Sequence, residues 1–158
     1  MIYIHYGAER FDRSRFRNVW NRIGINKPGG GLWGSPIEAE RGWYNWCIEE
    51  EFQTERLDKS FRFELAEGAN VLYIDSDEAA TKLKEEYPAR PEAIFSGNEL
   101  LPAITANYAK YQVDWVKVSE EYDAVVYYEN SLLMRWEFYG WDCDSIVVLN
   151  PDVIREVI

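Results

Sequence analysis

The stretch Gly29-Gly30-Gly31-Leu32-Trp33-Gly34-Ser35-Pro36 governs how the rest of the chain is read. Three glycines let a backbone turn sharply or let a ligand come close. The indole of Trp33 offers a flat surface for stacking. Ser35 followed by Glu38 fits a capping box, and Pro36 suits a first helical turn. The local expectation is loop, short strand, then a helix from about Pro36. No Lys-Ser/Thr pair follows the glycines, which argues against a P-loop, and no Gly-x-Gly-x-x-Gly follows a strand here. Trp33 and Ser35 are therefore the expected working part, with the glycines giving a ligand room to reach them. The plain alternative is a turn feeding a strand.

Upstream, Met1 to Tyr6 reads as a strand, with Ile2 and Ile4 on one face and Tyr3 and His5 on the other. Phe16, Val19, Trp20 and Ile23 follow at helical spacing, with Gly24 as a C-cap. Arg10, Arg13, Arg15, Arg17 and Arg22 then form one solvated helix face or a local basic patch. Downstream, Trp43, Trp46 and Cys47 continue a helical pattern. Phe61, Phe63 and Leu65 alternate as a half-buried strand, and Val71 to Ile74 reads as another. Asp75 with Glu78 opens a helix that Pro88 and Pro91 close, and Asn98 to Val118 is mostly helical in pattern. Ala124 to Tyr128 reads as a strand, Ser131 to Phe138 as a short helix, and Asp144 to Leu149 as the clearest strand. Strands and helices intermix without a regular βαβ alternation, so the expected class is α+β, one domain over residues 1–158.

Composition narrows the function. The chain has 158 residues, 47% hydrophobic and 16% aromatic, enough to build a substantial core. Its formal net charge of -11 opposes phosphate-backbone contacts, so nucleic acid is a disfavoured partner. Two distant cysteines, Cys47 and Cys143, and a single histidine make neither a disulfide framework nor a zinc site. No metal is expected. The cysteine usage suits a reducing, cytoplasmic setting, and no apolar run or signal-peptide pattern suggests a membrane.

Three places carry candidate chemistry: His5 at a strand end before Tyr6-Gly7, the aromatic pair Trp33 and Tyr44, and the acidic run Trp141-Asp142-Cys143-Asp144-Ser145 leading into a strand. In this order they resemble the ADP-ribosyltransferase family, in the branch with a His–Tyr–acid pattern shared by diphtheria-like toxins and poly(ADP-ribose) polymerases. Tyr44 stands eleven positions after Trp33, the spacing of the two aromatics that sandwich nicotinamide in that family. Asp144-Ser145-Ile146-Val147-Val148 is similar to its acid-bearing strand. The chain departs from the pattern in having Tyr6 between His5 and Gly7, Trp33 in place of a tyrosine, Gly34 inserted before Ser35, and Asp for the commoner Glu, with Asp142 a rival to Asp144.

The resemblance implies a split mixed or antiparallel sheet with flanking helices, and NAD as the substrate. His5 and Gly7 would hold the ribose and amide, Trp33 and Tyr44 the ring, and Ser35 the carboxamide or its own helix cap. Arg10 or Arg13 would meet the pyrophosphate. Chemically, breaking the nicotinamide–ribose bond needs a clamp on the leaving ring, an orienting donor and a carboxylate near the developing cation. Asp144 is the carboxylate expected there, with a protein or small molecule as acceptor. Two alternatives stay open: an inactive domain of this fold that binds NAD or ADP-ribose, and an acidic interaction or inhibitor protein.

Overall fold

The computed structural model describes residues 1–22, 24–89 and 112–158. Among them the elements run β1 (Tyr3–Tyr6), β2 (Leu32–Pro36), α1 (Trp43–Glu49), β3 (Ser60–Leu65), β4 (Val71–Ile74), α2 (Asp77–Glu86), α3 (Trp115–Glu121), β5 (Ala124–Tyr127), α4 (Leu132–Glu137), β6 (Ser145–Val148) and β7 (Ile154–Val157). The seven strands form one sheet in the order β4-β5-β6-β2-β1-β3-β7. Only β4 and β5 pair in parallel; every other pair is antiparallel. The molecule is thus a single-domain α+β fold on a mixed sheet.

The register at the middle of the sheet positions the site. β1 and β2 pair only through Tyr3↔Pro36 and Ile4↔Ser35. Beyond that point β1 stays with β3, as His5↔Phe61 and Tyr6↔Ser60, while β2 stays with β6, as Gly34↔Ile146, Trp33↔Val147 and Leu32↔Val148. The two strands therefore share a short ladder and then part, each held by its outer neighbour.

Two apolar cores flank the sheet. On one face Val125, Tyr127 and Val147 pack with Leu83, Trp115, Val118, Met134, Phe138 and Trp141 from the helices and loops. On the other, Ala124, Val126, Ile146 and Val148 pack with Tyr3, Phe61, Phe63, Val153 and Ile154. The period-two alternation of side chains along β5 and β6 thus feeds both cores.

Several expectations are corrected. No helix forms over Phe16 to Arg22, and Ile23 lies outside the described residues: a short 3-10 turn at Arg13–Arg15 is followed by irregular chain with a single bridge at Trp20. Its backbone hydrogen bonds go across space instead, Trp20 and Gly29 exchanging bonds of 3.1 and 3.0 Å and the Gly31 amide donating to the Arg17 carbonyl at 2.8 Å. The arginines of this stretch consequently do not share a helix face. Gly29 and Gly30 make this close packing possible, and Gly31 also lines a cavity described below. A Cβ on Gly29 would lie 2.2 Å from the Trp20 ring, and one on Gly30, at φ +75, would lie 2.5 Å from the Asn18 carbonyl.

The strand expected at Leu32 runs on through Pro36, and the helix begins at Trp43, not Pro36. Ser35 and Glu38 form no capping box. Yet the Ser35 hydroxyl oxygen accepts from the Trp43 amide at 2.9 Å, so it caps α1 from the neighbouring strand, where Gly42 offers no side chain to do so. The cap of α2 is Ser76, accepting from the Ala79 amide, rather than Asp75. Of the helix expected over Asn98 to Val118, residues 98–111 lie outside the described residues, as does Pro91; α3 starts at Trp115, capped by Asp114. The edge strand β7 was not anticipated. Among the described residues no helix is long and apolar enough to cross a membrane.

Candidate functional site: a cleft where the sheet parts

Two cavities open where β1 and β2 separate. The larger, about 410 Å³, is lined by His5, Tyr6, Trp33, Trp43, Trp141 and Ser145, with Arg22, Lys27, Gln53 and Arg56 adding polar and basic groups. The smaller, about 260 Å³, is lined by Gly7, Arg10, Phe11, Arg15 and Phe61 among others. His5 and Arg56 belong to both. The cleft thus combines aromatic surface with five basic side chains in a chain of net charge -11.

His5 spans the opening. Its Nδ1 lies 2.6 Å from the Trp33 carbonyl oxygen. A carbonyl only accepts, so Nδ1 carries the proton. Burial lowers the imidazole pKa from its usual value, the Trp33 carbonyl opposes this, and the Arg56 charge adds to the lowering. The neutral ring with Nδ1 protonated leaves Nε2 as an acceptor, suited to a ligand hydroxyl.

Gly7 follows in a left-handed conformation, φ +102, with the Arg56 guanidinium against it: an added Cβ would lie 2.8 Å from Nη2. Arg56 sits in a 3-10 turn at Thr54–Arg56, preceded by Gln53 at φ 47. A non-glycine residue in that region is strained, and such strain concentrates at working sites.

Trp33 forms part of the opposite wall. Its ring packs edge-on against Trp141 at 4.8 Å, and Lys27 Nζ lies over it at 4.7 Å from the centroid. Burial lowers the Lys27 pKa, and the Asp142 carboxylate works against that.

The remaining expected residues fall in different places. Gly7 and Arg10 do line the smaller cavity, whereas Arg13 is ion-paired with Asp152. Tyr44 lies against Tyr6, ring centroids 5.8 Å apart, and is not among the residues lining the larger cavity. Its neighbour Trp43 lines it, stacked on Trp46 at 5.1 Å. Because α1 begins at Trp43, the aromatic presented to the cleft comes one residue earlier than the eleven-residue spacing suggests.

Asp144 is not brought to His5. It precedes β6, which β2 separates from β1, and its Oδ1 accepts from the Glu129 amide at 3.0 Å. It lines two other surface cavities, one with Glu40, Arg41 and Glu129, the other with Met1 and Tyr128. Burial raises its pKa, opposed by the Glu129 amide and Arg41. Asp144 stands in the bend before β6, where its amide donates to the Arg41 carbonyl and its carboxylate accepts from the Glu129 amide, and Ser145, the first residue of the strand, lines the cleft. No carboxylate lines the larger cavity among the described residues.

Asp142 stands at φ 69, its pKa raised by burial and opposed chiefly by Lys27. Of the two rival acids it is the one electrostatically coupled to a cleft residue. Cys143 is buried, its thiol pushed up to about 11 by burial, so it is no thiolate nucleophile at neutral pH.

Lys27, Trp43, Gln53 and Arg56 were missed in the sequence. Lys27 beside Pro28 and Gln53 before a polar turn carry no spacing signal; Trp43 stands in a helical pattern with Trp46 and Cys47. No family model, curated protein or solved structure matches the chain.

Proposed function

We propose that this chain binds a dinucleotide of the NAD type in the cleft between β1 and β2. The observation that carries the reading is the parting of the ladder after Ile4↔Ser35, with two cavities meeting at His5 and Arg56. A dinucleotide presents two ring systems joined by a doubly charged pyrophosphate. Indoles with Lys27 suit one ring, Phe11 and Phe61 the other, and Arg56 and Arg10 the phosphates. The neutral His5 ring, with Nε2 accepting, suits a ribose hydroxyl. This agrees with the resemblance to ADP-ribosyltransferases and favours recognition over turnover, since Asp144 lies away from the cleft.

ADP-ribosyl transfer to a protein or small-molecule acceptor is the second reading. The coupling of Asp142 to Lys27 favours it, and it assigns the carboxylate role to Asp142 instead of Asp144.

Calorimetry with NAD tests the first reading. Binding weakened tenfold or more by Arg56→Ala supports it, by the loss of a charge-assisted contact. Absence of binding at millimolar NAD overturns it. A nicotinamide-release assay then decides the second. Release abolished by Asp142→Asn and retained by Asp144→Asn supports transfer, and no release from the NAD-bound protein leaves recognition alone.

A further inference from the structure

Away from the cleft, a further cavity of about 290 Å³ is lined by Asn26, Lys84, Gln112, Trp136, Glu137 and Tyr139, with Gly24 and Ile25 completing its wall. Among the described residues, four buried side-chain polar atoms have no hydrogen-bond partner, and three of them, Asn26 Nδ2, Gln112 Oε1 and Glu137 Oε2, sit on residues that line this cavity. Asn26 and Gln112 are 6% and 7% exposed.

The identity of these atoms follows from their neighbours. Asn26 Oδ1 accepts from the Val113 amide at 3.0 Å, which fixes Nδ2 as the unpaired end. Gln112 Nε2 donates to the carbonyls of Arg22 and Ile25, each at 2.9 Å, which fixes Oε1 as the unpaired end. Glu137 spends Oε1 on Lys84 and keeps Oε2. Burying such groups unpaired is costly, so native proteins rarely keep three around one cavity without a use.

We infer that this cavity is a second binding site, for a flat heteroaromatic group whose edge offers one carbonyl acceptor and two N–H donors. Asn26 Nδ2 donates to the carbonyl, and Gln112 Oε1 and Glu137 Oε2 accept the two N–H groups. Trp136 and Tyr139, 81% and 73% exposed, supply ring surface. The volume admits a single base or substituted ring and is small for a dinucleotide. Two sources share this chemistry: an aromatic carboxamide and the edge of a guanine base. The inference is independent of the cleft.

Titration calorimetry on the intact chain tests it with nicotinamide and guanosine as probes, paired with nicotinate, which lacks both N–H donors, and inosine, which keeps N1–H and lacks the exocyclic amino donor. The result expected is binding of one probe and at least tenfold weaker binding of its paired analogue, the cost of leaving a buried acceptor unpaired. Glu137→Gln, which turns the free acceptor into a donor while keeping the side chain's shape, weakens that probe tenfold or more, and so does Trp136→Ala at its exposed position. Which probe responds names the source. Nicotinamide held only in the cleft would survive both substitutions, and that result overturns the proposal. No binding of either probe at millimolar concentration, or no discrimination within either pair, overturns it as well.

Discussion

On one side of the opening, β5 and β6 bury every residue of Ala124–Tyr127 and Ser145–Val148; on the other, β3 alternates, with Phe61 and Phe63 inside and Arg62 and Glu64 outside. The first half is covered on both faces by the two cores, and the second leaves one face of β3 to water. The cleft lies at the seam between them. Its Trp33 and Trp141 wall belongs to the doubly covered half, and its His5 and Arg56 wall to the half with the exposed face. The two indoles therefore stand on the more heavily packed wall, and His5 and Arg56 on the one with an exposed face.

The largest expected effect tests the more heavily packed wall. Trp141 is 1% exposed, packs against Trp33, Trp115, Tyr127 and Phe138, and donates its indole N–H to the Asn26 carbonyl at 2.7 Å. Trp141→Ala is expected to cost about 3–5 kcal/mol in urea unfolding. Arg62→Ala, on the exposed face of the other half, is expected to stay within about 0.5 kcal/mol. Equal losses for the two would erase the distinction between the halves.

Next is Gly7→Ala. At φ +102 any side chain is strained, by about 1–3 kcal/mol, and the methyl group pushes on the Arg56 guanidinium. Unfolding midpoint and NAD affinity are both expected to fall; unchanged affinity would detach Arg56 from the ligand. Ser35→Ala removes the acceptor that caps α1 across the sheet, a loss of about 1 kcal/mol measurable by the same unfolding curve.

The smallest effect is the titration of His5. Burial and Arg56 depress its folded pKa below the usual 6.5. The stability this group contributes is therefore complete above about pH 6.5 and is lost as pH falls through the depressed pKa. The difference in unfolding free energy between the protein and His5→Gln, followed from pH 8 to 5, isolates it from the carboxylates. A flat difference would contradict a buried neutral ring.

Much of the scaffold was legible because it is written in local pattern. Phe61, Phe63 and Leu65 alternate, and Val71–Ile74 and Ala124–Tyr127 are short apolar runs rich in β-branched residues; these became β3, β4 and β5. Ser131 caps α4 through the Met134 amide, within one residue of its expected start. What escaped was set by distant partners. Phe16, Val19 and Trp20 have helical spacing, yet the backbone of this stretch, at Arg17 and Trp20, pairs with Gly31 and Gly29. The edge strand β7, following an Asn-Pro turn, draws its register from β3. In the site, His5 and Trp33 were legible as strand-end residues, while Arg56 and Lys27 arrive through turns with no periodicity. The acid shows how little separates neighbours: Ser145, the first residue of β6, lines the larger cavity, and Asp144, in the bend before it, does not.

The bond from His5 to the Trp33 carbonyl has a consequence beyond any ligand. Strand edges that face one another tend to zip together wherever their backbone groups are free. Here a side chain occupies the acceptor that a neighbouring amide would otherwise take, so the imidazole is a doorstop in a half-closed seam. A shorter residue at this position would trade hollow space for further rungs and so tighten the frame.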